Sequence, residues 1–246
     1  MSLFESQYKQ LLMTTLLNKE MVKNRTGVDA HTIFNQTLNV NLNNGFPILT
    51  AKKIFFDKAK AEFEWIYNGR TDIKFLHDHN IKWWDKFAKN NKLGKVYGYQ
   101  VRKFGDKFDQ VEYCINEINN NSRRAVITFW NPNDLPQQAL PNCYTSFCFV
   151  RQGNNLNMQM NFRSSDLFLG LPYDIIVGAL FLIEIAKQTN LKPNILGLSI
   201  ANGHIYENHY DQVKKYYSTP VYELPQYKNE KLINYKSAEY IKAKLN

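Results

Sequence analysis

A cysteine attacks carbon only as its thiolate, so the three cysteines, Cys114, Cys143 and Cys148, are the first residues to weigh for chemistry. Their odd count and unpaired spacing argue against a disulfide framework and fit a reducing cytoplasm. Cys143 lies in LPNCYTSFCFV, just after a proline turn and just before a strand-like run, where a side chain projects from a rigid edge into a cleft. For Cys114 and Cys148 the inert, buried thiol is the better reading. Two arginine signals accompany the candidate nucleophile: Arg123 and Arg124 after Ser122, and Arg163 followed by Ser164, Ser165 and Asp166. Guanidinium forks at strand ends can grip a phosphate bidentately, and nearby cations draw a thiol toward its ionised form. Either signal alone reads as surface salt bridges; both beside one cysteine do not.

Two acids extend the set. Glu62, in AKAEFEWIYNG, shares a helical segment with Phe63, Ile66 and Tyr67. A carboxyl against such an apolar face rises in pKa and can shuttle protons through water. Glu64 is the neighbouring decoy, and a solvated helix face is the bland reading of both. Asp174, in GLPYDIIVGAL, opens an apolar helix; it either caps that helix or reads the edge of a base. Trp83, Trp84 and Phe87 are either core or an aromatic wall for a flat ring.

The elements that must hold these residues follow from periodicity. Helices are predicted at 4–17, 58–67, 109–118 and 175–188, and strands at 37–41, 125–130, 146–151, 156–161 and 195–205. They mix without strict alternation, so the expectation is one α/β or α+β domain over 1–246 with a mixed sheet. The N-terminus lacks the cationic and apolar runs of a signal peptide, and the longest apolar tract, 175–186, is interrupted by Gly178 and Glu184. The net charge of +9 comes from dispersed lysines, not from an aromatic-flanked basic groove. A non-catalytic nucleic-acid binder is therefore the weak alternative, while attraction of phosphates and polyglutamate tails survives.

The chain resembles the thymidylate synthase superfamily over nearly all its length. The segments that carry this are RTG at 25–27, GFPILTAKK at 45–53, AEFEW at 61–65, WWD at 83–85, VYGYQ at 96–100, SRR at 122–124, the Cys143 segment, RSSDLFLGLP at 163–172 and NGHIYENHYDQ at 202–212. The resemblance implies an α/β domain with a mixed sheet that packs against a partner's sheet in a homodimer. It implies Cys143 as the nucleophile toward carbon 6 of a pyrimidine nucleotide, and 5,10-methylenetetrahydrofolate, without a metal, as carbon donor. Arg25, Arg163 and Ser164 would hold the phosphate, Arg123 and Arg124 would reach the partner's site, and Glu62 and Tyr97 would organise water and protons. His204 and Tyr206 would bind the sugar, while Trp84, Asp166, Gly170 and Tyr173 would line the folate site, with Lys52 near its glutamate tail. Such an enzyme works in the cytoplasm, or in that of a host if phage-encoded.

Departures from the family pattern refine the expectation. Asp174 stands where synthases acting on dUMP carry Asn, a change shared with the resembling phage deoxycytidylate hydroxymethylases, and a carboxyl suits the amino group and ring nitrogen of cytosine. Asn142 and Tyr144 replace the usual Pro and His. The chain runs out at YIKAKLN, without a clear counterpart of the apolar tail that covers the folate, and a wetter site favours quenching by water. The expected reaction is hydroxymethylation of dCMP. CMP hydroxymethylation, dCMP methylation and thymidylate synthesis are the alternatives.

Overall fold

The computed structural model describes residues 2–18 and 20–246. Helices α1 (Leu3–Leu17), α2 (Phe56–Tyr67), α3 (Lys74–Asp78), α4 (Tyr97–Lys103), α5 (Gln110–Asn119), α6 (Leu171–Gln188) and α7 (Tyr210–Ser218) surround a mixed sheet. Its strands are β1 (Met21–Val22), β2 (Ala30–Asn41), β3 (Val126–Thr128), β4 (Tyr144–Gln152), β5 (Asn155–Phe162), β6 (Ser165–Asp166) and β7 (Lys192–Tyr206), and β8 (Gln226–Lys228) with β9 (Lys231–Ile233) forms a separate hairpin. The sheet runs β1-β2-β7-β5-β4-β3; β5 and β6 pair with β7 in parallel and the other pairs are antiparallel. The expected mixed α+β architecture is thus the one observed.

Strand alternation splits the sheet into two chemically distinct faces. One cross-strand row, Leu38, Leu198, Met160, Phe147 and Ile127, is buried under the helices. The adjoining row, Thr37, Ser199, Asn161, Ser146 and Thr128, is polar, and the Asn161 side chain donates to Ser146 Oγ at 3.0 Å. Helix α6 lies over the apolar face, where Gly178 leaves room for Met160: a Cβ there would meet its Sδ at 2.2 Å, and that side chain would have to shift.

At the start of β4 the register slips between Tyr144 and Ser146. The extra residue, Thr145, turns Tyr144 onto the buried face, where its ring lies 5.1 Å from that of Phe147, and leaves Cys143 at the strand's entrance.

Several elements exceed their predicted bounds. β2 begins at Ala30 and not near 37, because its polar residues hide the pattern while pairing with β7 from Tyr206 onward fixes it. Helix α4, which bears Tyr97, has no strong period and was not predicted.

Glu5 ties α1 to the loop that leads into α2. Its fully buried carboxylate accepts from the backbone N–H of Thr50 (3.0 Å) and Ala51 (2.8 Å), the Thr50 hydroxyl (2.6 Å) and the Tyr216 hydroxyl (2.8 Å). Replacement by Leu strands all these donors, so Glu5→Leu should lower stability by about 3 kcal/mol or more in urea denaturation. A midpoint unchanged from wild type would refute this role.

Candidate active site

A cavity of about 610 Å³ opens beside the entrance of β4. Cys143 lines it from the strand start, Glu62 from α2, Tyr97 from the first turn of α4, and Gly170, Tyr173 and Asp174 from the first turn of α6. Arg25 reaches it from the turn after β1, Arg163, Ser164 and Asp166 from the segment around β6, His204 and Tyr206 from the end of β7, and Trp84 from the loop after α3. Residues separated by most of the sequence are thus gathered in one hollow.

Lys52, Arg123 and Arg124 are not among its walls. Lys52, expected near the folate's glutamate tail, is buried: its ammonium donates to the Phe168 carbonyl at 2.5 Å and lies 3.7 Å from the centre of that ring. Burial lowers its pKa to about 7. The cavity's own ammonium is that of Lys58, which stands over the Phe55 and Trp83 rings. Arg123 and Arg124 are exposed on the approach to β3.

The segment 141–143 is tightly held. The Cys143 N–H donates to the Tyr97 hydroxyl at 2.6 Å, and the Arg163 N–H donates to the Cys143 carbonyl at 3.0 Å. Arg163 also donates through Nε to the Asn142 carbonyl (2.8 Å) and through Nη2 to that of Pro141 (2.7 Å). The expectation that arginines lower the thiol's pKa is corrected by the balance of forces. Burial and the Asp174 carboxyl push it up, outweighing the downward pull of Arg163 and of a hydrogen bond from Tyr97.

The acids behave differently from one another. Glu62 is buried, and its Oε1 accepts from Trp84 Nε1 (2.7 Å) and Trp83 Nε1 (3.1 Å); Oε2 has no partner among the described residues. Burial raises its pKa against the pull of both indoles. The decoy, Glu64, pairs with Lys60 on the outer side of α2 and does not line the cavity. Asp174 does not cap α6: Gly170 is the N-cap residue, and the Asp174 carboxyl makes no hydrogen bond among the described residues. Burial, then Glu62, then Asp166 push its pKa well above the usual carboxylate range. Asp166 by contrast is engaged, accepting the N–H groups of Phe168 (2.9 Å) and Leu169 (3.0 Å). Burial holds the His204 pKa below its usual value, 3.5 Å from the Ser164 hydroxyl.

Sequence reading missed much of the wall. Trp83, whose ring is 5.4 Å from that of Tyr173, joins Phe55 and Tyr240 in an aromatic flank; only Trp83 had been flagged, among possible core residues. The segment 238–246 is a larger miss. The Lys244 carbonyl is 2.7 Å from His209 Nε2, Asn246 exchanges two amide hydrogen bonds with Asn208 (2.9 and 3.0 Å), and Lys86 donates to the Asn246 carbonyl (2.7 Å). Ala243, Leu245 and Asn246 line the cavity, so these residues form part of its wall where no clear counterpart of the apolar tail was expected. The segment has no periodicity from which its course could have been read.

A mixed sheet presents a cysteine at a strand entrance, with arginines and acids around one hollow. The family model of thymidylate synthase matches residues 6–245, so the chain belongs to that family and is a one-carbon transferase acting between methylenetetrahydrofolate and a pyrimidine nucleotide. Among the described residues no helix is long and apolar enough to cross a membrane.

The raised Asp174 pKa has a signed consequence. A carboxyl whose folded pKa lies above its unfolded value contributes most below that unfolded value, and this contribution is lost as pH rises. Wild-type stability should therefore fall, relative to Asp174→Asn, as pH rises above about 4, the unfolded Asp value. Calorimetry of the ligand-free proteins should give the variant the higher Tm at pH 8 and nearly equal values at pH 4; a gap independent of pH would contradict the carboxyl's burial.

Proposed function

We propose that the chain, acting as one catalytic domain, is a dCMP 5-hydroxymethylase that takes its carbon from 5,10-methylenetetrahydrofolate. The observation that carries this reading is the unpartnered carboxyl of Asp174 on the same cavity as the Cys143 thiol. Cytosine offers an amino donor at carbon 4 and an acceptor nitrogen at position 3. A carboxyl accepts from the first and, with one proton shared between the pair, bridges the second. An amide would match uracil instead.

Cys143 adds to carbon 6, which makes carbon 5 nucleophilic toward the one-carbon unit. Tyr97 and the free oxygen of Glu62 order water and move protons at the ring. Water supplies the hydroxyl, and tetrahydrofolate is the second product. Arg25, Arg163 and Ser164 take the phosphate, and His204 and Tyr206 the sugar. Trp84, Asp166, Gly170 and Tyr173 face the folate, and Lys58 replaces Lys52 as the cation nearest its tail. The exposure of Arg123 and Arg124, off this cavity, and the polar sheet face support a homodimer in which each copy completes the other's phosphate site.

The covering segment 238–246 favours a second reading of the last step, hydride transfer in a dry site to give 5-methyl-dCMP. Incubation with methylenetetrahydrofolate and dCMP, CMP or dUMP, followed by product mass and dihydrofolate absorbance, decides among these. The expected outcome is hydroxymethyl-dCMP without dihydrofolate. Methyl product with dihydrofolate would overturn the water step, and preference for CMP or dUMP would overturn the substrate. Asp174→Asn should move preference toward dUMP on the order of 100-fold, and Cys143→Ala should cost on the order of 1,000-fold or more in kcat.

A further inference from the structure

We propose that Asn142 is a positioning residue for Cys143, acting through Tyr97: its buried side chain fixes the first turn of α4 so that the Tyr97 hydroxyl meets the nucleophile. The inference rests on Cys143 being that nucleophile.

Asn142 is completely buried and uses both ends of its carboxamide. Oδ1 accepts the Tyr97 N–H at 3.1 Å, and Nδ2 donates to the Phe129 carbonyl, just beyond β3, at 2.8 Å. Helix α4 needs the first of these bonds. The leading N–H groups of a helix have no partner within it, and Val96, at the N-cap position, provides no side-chain cap. Asn142 therefore caps α4 from another part of the chain. A proline there could do neither job.

The loop then closes on itself. Asn142 holds the Tyr97 backbone, the Tyr97 hydroxyl holds the Cys143 N–H at 2.6 Å, and Cys143 follows Asn142 in the chain. The Tyr97 ring is fixed from the side by Tyr144, 4.5 Å away. Held on the Cys143 N–H, the Tyr97 phenol also pulls the thiol's pKa down against burial, so the phenol is the route by which a distant amide reaches the sulfur. Without the carboxamide, the Tyr97 N–H and the Phe129 carbonyl are buried and unpaired, and the phenol loses its fixed height above the cysteine.

Iodoacetamide labelling of the Cys143 peptide in the ligand-free protein, followed from pH 6 to 10 by mass spectrometry, tests this. Asn142→Leu should move the labelling midpoint up by about one pH unit, the size of one hydrogen bond to an ionised group. Tyr97→Phe should move it the same way, and the double variant no further than Tyr97→Phe alone. A midpoint equal to wild type in folded Asn142→Leu, or shifts that add in the double variant, would overturn the proposal. Should Asn142→Leu not fold, wild-type amide exchange decides: a Tyr97 N–H as slow as the interior of α2 supports the cap, and one exchanging at an exposed rate refutes it. Labelling needs no nucleotide, so its failure is distinct from failure of the functional reading, which would appear as turnover retained by Cys143→Ala.

Discussion

Two carboxyl groups, Glu62 and Asp174, share one hollow with a half-buried thiol, and most of the site is arranged around that electrostatic strain. Each group is desolvated, and each raises the pKa of the next: Glu62 acts on Asp174, and Asp174 acts on Cys143. The compensations are unequal. Two indole N–H donors hold Glu62, while Asp174 has only the N-terminal turn of α6, where a helix dipole is worth about 0.3–2 kcal/mol. Desolvation exceeds that, which leaves Asp174 a protonatable group facing open space. A proton that can stay on the acid or move to the base is what a cytosine edge needs; a fully solvated aspartate would have been ionised and tied to water.

Holding such groups apart at working distance requires a stiff frame. The frame is the sheet, whose apolar row is closed by α6 against Met160, and whose bulge at Thr145 turns Tyr144 inward and brings Cys143 to the rim. Arg163 does two jobs there. Its Nε and Nη2 brace the carbonyls of Asn142 and Pro141, and its charge still lies near enough to draw the thiol downward. Because burial outweighs that pull, the balance favours the protonated thiol, and ionisation is eased by a partner for the proton.

How far these features could be read in advance depended on whether a local pattern carried them. Helices α1, α2, α5 and α6 bury apolar stripes and were visible as such, and so were the cores of β4, β5 and β7. Glu62 and Asp174 were legible because each interrupts an apolar face. β2 was only half visible: His31, Asn35 and Gln36 break alternation, and Asn35 adopts a positive φ of 54°, so the strand exists through its ladder with β7. The burial of Lys52 was not legible from its own segment, because Glu5, far away in the chain, draws the residues preceding it inward. Asn142 was seen only as a departure from Pro; its two hydrogen bonds join segments that no window of sequence contains.

The segment 238–246 bears on which product the site can make. Ala243 and Leu245 line the cavity, and the segment is fastened by the buried Ile241 side chain together with polar contacts to the Asn208 amide, the Lys86 ammonium and the His209 ring. Its hydrogen bonds to the exposed Asn208 and Lys86 compete with water, whereas Ile241 and the fully buried His209 hold it from the inner side. Asn208 and Lys86 lie at the surface, so each of these two bonds contributes little net free energy, and the residues beyond the buried Ile241 are the more weakly held part of the segment. Residues 243–246 thus shield the hollow without sealing it. Under the proposed reading, water reaches the reactive carbon when this amide pair parts, and the choice between hydride and water is a race between the folate ring and that opening.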